Sequence, residues 1–175
     1  MTIHFGDSTS IATASGLGAG ILQVKQTLRT NTFSESVAEA GESSRVLDVS
    51  ITPSSSSNKI LVIVTAHMAL NTTHGRCFSI KRGSTSICIG DAANNRNRRT
   101  GVGSASNSSS SSAVTMMFLD DPQTTSTLTY GITLSHNENN TLTTFLNRTD
   151  NDNDQTNISR FASTCTVMEL ASGIL

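Results

Sequence analysis

The chain has 175 residues, enough for one domain with a core of its own. Its 12 basic and 13 acidic residues leave a formal net charge of −1. That balance excludes the clustered basic surface of a nucleic-acid binder and the polybasic patch of a membrane-surface protein. Polarity is carried instead by small hydroxyls, with 27 Ser and 25 Thr against 2 Pro and no Trp.

Residues 1–20 are small and glycine-dotted without sustained periodicity, the composition of an N-terminal arm. Its apolar anchors are Ile3, Phe5, Ile11 and Leu17, and an arm of this kind is either frayed on its own or ordered against a partner. It has neither the basic nor the apolar region of a secretion signal. The domain is expected over residues 21–170, with 171–175 as a C-terminal tail.

The domain opens with ILQVKQTL, where Leu22, Val24, Gln26 and Leu28 alternate against Gln23, Lys25 and Thr27. A short strand around Thr30–Ser36 holds Phe33, and Ala38–Ser44 reads as a polar loop. RVLDVSI sets Leu47, Val49 and Ile51 on one side, and TPSSSSN turns the chain into KILVIVTAHMAL. That run, Lys59–Leu70, is the longest apolar stretch, rich in β-branched residues and too short to span a membrane. RCFSIKRG and TSICIGD follow, separated by Gly83-Ser84 as in a tight hairpin. Ala92–Ser112 reads as one long polar loop, a length that goes with function or mobility. AVTMMFLD, TLTYGITLS, LTTFLN and RFASTCTVMEL complete about ten expected strands with no helix, an all-β sandwich.

Little in the chain suggests catalysis. His4, His67, His74 and His136 stand outside any G-x-S-x-G, H-E-x-x-H or phosphate-loop frame, so no catalytic residue and no cofactor is expected. His67 reads as a structural or interface histidine. Cys77, Cys88 and Cys165 are odd in number, lack a C-x-x-C pair and lie in apolar segments, the pattern of buried free thiols. Asp150 to Asp154 resembles the start of a calcium loop, but Gln155 stands where a glycine is needed and Phe161 where a glutamate is needed. An EF-hand is excluded and no metal ligand is assigned; a solvated acidic loop is the default, with a looser Ca²⁺ site in a β-loop as the alternative. Arg96, Arg98 and Arg99 fall in one loop, a candidate contact for an acidic neighbouring subunit or an anionic host glycan. The competing reading is a solvated loop, or ion pairs with the Asp-rich loop across a trimer.

The succession ILQVKQT, TFSES, LDVSITPSSSSNKILVIV, IKRGSTSI with IGDA, TMMFLDDPQTTSTLTYGI, FLNRT and ASTCTVMEL resembles a recurrent domain of marine bacteriophage virion proteins. Such domains occur at the ends of cyanophage and pelagiphage tail fibres. The resemblance covers about Ile21 to Leu170, and SITPSSSSNKILV is its most specific part. It implies a tumour-necrosis-factor-like jelly roll, usually trimeric, with a virion structural role and no enzymatic residues.

Two strands are apolar on both faces. In a trimer their second faces close at the threefold axis, with Leu61, Ile63, Met117 and Leu119 as the expected interface. The expected function is therefore a non-enzymatic phage protein, a homotrimeric short fibre or knob assembled in the bacterial cytoplasm and exposed on the virion. It would bind other capsid or tail proteins through its arm and contact a host surface glycan. A trimeric capsid decoration protein is the alternative. A jelly-roll carbohydrate-active enzyme fits less well, because the chain has one Tyr, no Trp and few clustered acids to build a sugar site.

Overall fold

The structure is a computed structural model describing residues 3–4, 10–11, 20–73, 75–104 and 110–174. Among these there is no α-helix; every regular element but one is a β-strand, and all strand pairs are antiparallel. In chain order the strands are β1 (Ile3–His4), β2 (Ser10–Ile11), β3 (Ile21–Arg29), β4 (Phe33–Val37), β5 (Val46–Ile51), β6 (Lys59–Leu70) and β7 (Arg76–Arg82). Then come β8 (Thr85–Ile87), β9 (Gly101–Gly103), β10 (Ser112–Asp120), β11 (Leu128–His136), β12 (Leu142–Leu146) and β13 (Ser163–Leu170). A single 3-10 turn, Ser172–Ile174, follows.

β1 and β2 pair only with each other, setting Ile3 opposite Ile11. The other predicted arm anchors, Phe5 and Leu17, lie outside the described residues. The remaining strands form two sheets. The larger runs β3-β13-β6-β12-β4, with β10 on the other edge of β6; the smaller runs β5-β11-β7-β8, with β9 beside β7.

β6 is the centre of the larger sheet, as its composition requires. Ile60, Val62, Val64 and Ala66 are fully buried and meet Ile51, Phe78, Ile80, Tyr130, Ile132 and Leu134 of the smaller sheet in one core. The tight turn is present: Arg82 pairs with Thr85 across Gly83-Ser84, and Gly83 takes a φ of 60° that a glycine adopts freely. β5 departs from strict alternation. Leu47 has a φ of 60° beside a register shift at Tyr130/Ile132, so both Val46 and Leu47 turn inward.

Two expectations need correction. The predicted loop Ala92–Ser112 contains β9, whose Gly101 lies against Phe78; a Cβ there would sit 2.7 Å from the ring. Cys88 is only half-buried, because β8 stops at Ile87 and Cys88 turns to a φ of 53°. Cys77 and Cys165 are buried, and all three thiols are free.

Polar clusters fasten the sandwich at its ends. Glu169 is 1 % exposed and accepts hydrogen bonds from the Ser54 backbone (2.6 Å), Ser54 Oγ (2.8 Å), Asn58 Nδ2 (2.7 Å) and Gln23 Nε2 (2.6 Å). Burial alone would raise its pKa, but the bonds from Asn58, Gln23 and Ser54 outweigh it and carry the pKa down to about 2. The Ser-rich turn is thus closed onto the last strand. At another end Asp120 bridges the two sheets, accepting from Tyr130 Oη (2.7 Å) and from Arg82 Nη1 at both oxygens (2.9 and 2.8 Å). Asn147 donates to the carbonyls of Arg29 (2.8 Å) and Asn31 (3.2 Å) and accepts from Ser163 Oγ (2.5 Å). The two ends of the sandwich lie together, for the Ala171 amide donates to the Gly20 carbonyl at 3.1 Å.

Candidate functional site

The outward face of the larger sheet is where side chains and environment disagree. On β3 the polar residues point inward: Gln23 Nε2 donates to the Thr52 carbonyl (2.7 Å) and Thr27 Oγ1 to the Asp48 carbonyl (2.6 Å), both on the side of β5. The apolar stripe is therefore turned to the outside. Leu22, Val24 and Leu28 are 44 %, 51 % and 60 % exposed. An edge strand of a lone sandwich would be expected to do the reverse.

The register extends this stripe across the sheet. Leu119 lies opposite Leu61, Leu61 opposite Met168, and Met168 opposite Val24, a row of four apolar side chains on four adjacent strands. In the next row Met117, 64 % exposed, lies opposite Ile63, followed by Thr166 and Gln26. Gln26 Nε2 donates to Thr166 Oγ1 (2.7 Å), and Thr65 and Thr115 share a hydroxyl contact at 3.1 Å. These polar side chains thereby pair with one another within the face. The formal charge along these rows is confined to the rim, where Lys59 pairs with Asp121. At the far end the face is closed by Phe161, stacked on His67 with ring centres 4.9 Å apart, so His67 is a packing residue.

Leu61, Ile63, Met117 and Leu119, singled out from the sequence, fall together on this one face. Leu22, Val24, Leu28 and Met168 belong to it as well. The signal for the first three was their alternation in β3, which by itself does not say which side is turned inward.

The arginine loop lies elsewhere, over the smaller sheet. Arg99 is held by Glu42 Oε1 (3.3 Å) and by the carbonyls of Ala40 and Gly41 (3.2 Å each). Glu42 also takes Lys81 Nζ at 2.5 Å; burial raises its pKa, and Lys81, Ser79 and Arg99 together bring it below the usual value. Arg98 Nε donates to the Gly90 carbonyl (2.6 Å), and Arg96 is exposed. In the Asp-rich loop, Asp152 is taken by Arg160 (2.6 Å) and Arg148 (3.5 Å) of its own chain. Among the described residues no group of three or more His, Cys, Asp or Glu side chains is placed to hold a metal.

Neither the protein-family models nor the curated proteins contain a match to this chain. Its functional reading therefore rests on its own residues.

Proposed function

We propose that this chain is a non-enzymatic virion structural protein, a homotrimeric jelly-roll head exposed on a phage particle and attached through its N-terminal arm. The observation that carries the reading is the outward apolar face of the larger sheet. Leu22, Val24, Leu28, Met117 and Leu119 together leave roughly 500 Å² of apolar surface open, the scale at which a patch on a soluble protein marks an interface. The occupant argued for is a second copy of the same chain. The face has few charges to select a different partner, and its hydroxyl and amide pairs reduce the number of polar groups that burial would strand.

Strand order supports the jelly-roll reading. With β3, β5, β6, β7, β8, β10, β11 and β13 lettered A to H, the sheets read A-H-C-F and B-G-D-E, the two four-stranded layers of a jelly roll. β12, β4 and β9 are additions at the margins. The sequence resemblance to virion domains supports placing such a head on a particle.

Light scattering on a size-exclusion column tests the assembly. The expected mass is three times 18.4 kDa, about 55 kDa, and Met117→Asp and Leu119→Asp should each give a folded species of one-third that mass. A wild-type monomer, or an unchanged mass in both variants, overturns the trimer and its interface. Mass spectrometry of gradient-purified particles tests the location; absence of the chain from them overturns the virion role.

A further inference from the structure

On the opposite side of the sandwich from the apolar face, the loop between β8 and β9 lies over β7 and borders an open cleft of about 370 Å³. Its polar lining is Arg96, Asn97, Arg98, Arg99, Asp91 and Asn137. We propose that this cleft binds a monoanionic, polyhydroxylated ligand, a sugar acid of the uronic type.

Charge selects the anion. Arg99 is held by Glu42, whose single charge it shares with Lys81, and by the carbonyls of Ala40 and Gly41, and it serves to pin the loop. Arg98 spends only its side-chain Nε on the protein, and the Arg96 side chain makes no hydrogen bond or ion pair among the described residues, its backbone amide donating to the Ala93 carbonyl. Arg96 and Arg98 thus line the cleft together with one carboxylate, Asp91, and leave it net positive for an anionic ligand. A guanidinium fork matches a carboxylate in geometry as well as in charge.

Asp91 and the two amides select the rest. A carboxylate in the cleft repels a phosphate dianion but accepts hydrogen bonds from hydroxyls, and Asn97 and Asn137 can both donate and accept. The volume falls at the lower end of small-molecule sites, room for one or two sugar rings. Stacking on an aromatic platform is not the means of recognition: the chain has no Trp, and its one Tyr, Tyr130, is fully buried in the core. Cys77 lines the cleft as well, and burial pushes its thiol pKa up more than Arg99 and Asn137 lower it, which favours the neutral thiol.

The test is a titration of the full-length, ¹⁵N-labelled protein with sodium glucuronate, glucose and inorganic phosphate in separate arms at constant ionic strength. Saturable shifts at the Arg96 and Arg98 Nε–H and at the Asn97 and Asn137 side-chain amides are expected with glucuronate. The affinity should be in the millimolar range, with glucose and phosphate about tenfold weaker or more. Arg96→Ala should weaken glucuronate by about tenfold, the loss of a charge-assisted contact, without altering the oligomeric mass. Asn97→Ala provides an independent second variant should the first disturb the loop. Phosphate binding as tightly as glucuronate would reduce the cleft to a general anion site. That result, no saturable shift, or both variants binding like wild type would each overturn the proposal.

Discussion

Glu169 offers a quantitative test of how the sandwich is closed. Its carboxylate is 1 % exposed and accepts four hydrogen bonds from Ser54, Asn58 and Gln23. The folded pKa of about 2 lies below the ordinary 4.5, so the unfolded chain binds the extra proton and stability rises with pH across the interval between them. At 1.36 kcal/mol per unit, that shift corresponds to about 3 kcal/mol, fully present above about pH 5 and lost as pH falls toward 2. In Glu169→Gln the amide oxygen can still take the three donors on the Oε1 side, but its NH2 meets Gln23 donor to donor. The variant should lose about 1–3 kcal/mol at pH 7 and should no longer carry this contribution to acid lability. Urea unfolding followed by circular dichroism at pH 7, 5, 4 and 3 measures both effects. A Glu169→Gln protein as stable as wild type at pH 7, with an undiminished loss of stability toward pH 3, would refute this account of the lock.

Tyr130→Phe removes one of three hydrogen bonds to the buried Asp120 and leaves the Arg82 pair in place, so a loss of about 1–2 kcal/mol in thermal unfolding is expected; no loss would place the inter-sheet bridge elsewhere. Asn147→Ala strands the Arg29 and Asn31 carbonyls and Ser163 Oγ at a fully buried position whose φ of 63° asparagine tolerates better than alanine. It should cost about 2–4 kcal/mol, read as a lower denaturant midpoint, and an unchanged midpoint would contradict that role.

The strands were legible because their cores are simple. Alternating Leu128, Tyr130, Ile132 and Leu134 mark a pleated strand, and β11 puts Tyr130, Ile132 and Leu134 in the core, though Thr133 and Ser135 on its other side are buried as well. The apolar second faces of β6 and β10 were legible for the same reason. β9 was hidden because Gly-Val-Gly has no period to detect and forms only where Phe78 leaves room for a bare backbone. The buried charges were hidden for a different reason. Glu169 meets Ser54 across 115 positions and Asp120 meets Arg82 across 38, and local pattern assigns an isolated acid to the surface. The cleft needed both kinds of information: the three arginines were visible in the loop, but Asn137 reaches them only through the pairing of β7 with β11.

The contact between Gly20 and Ala171 gives the sandwich a mechanical character. β3 begins where β13 ends, with Ile21 opposite Leu170, so whatever is joined to either end leaves from one corner. Forces pulling both ends the same way pass through that corner and leave the sheets unloaded. Forces pulling the ends apart open the β3–β13 ladder one pair at a time from Leu170, the weakest direction in which an antiparallel pair can be strained. A head hung from that corner would swing under drag as a rigid body rather than stretch.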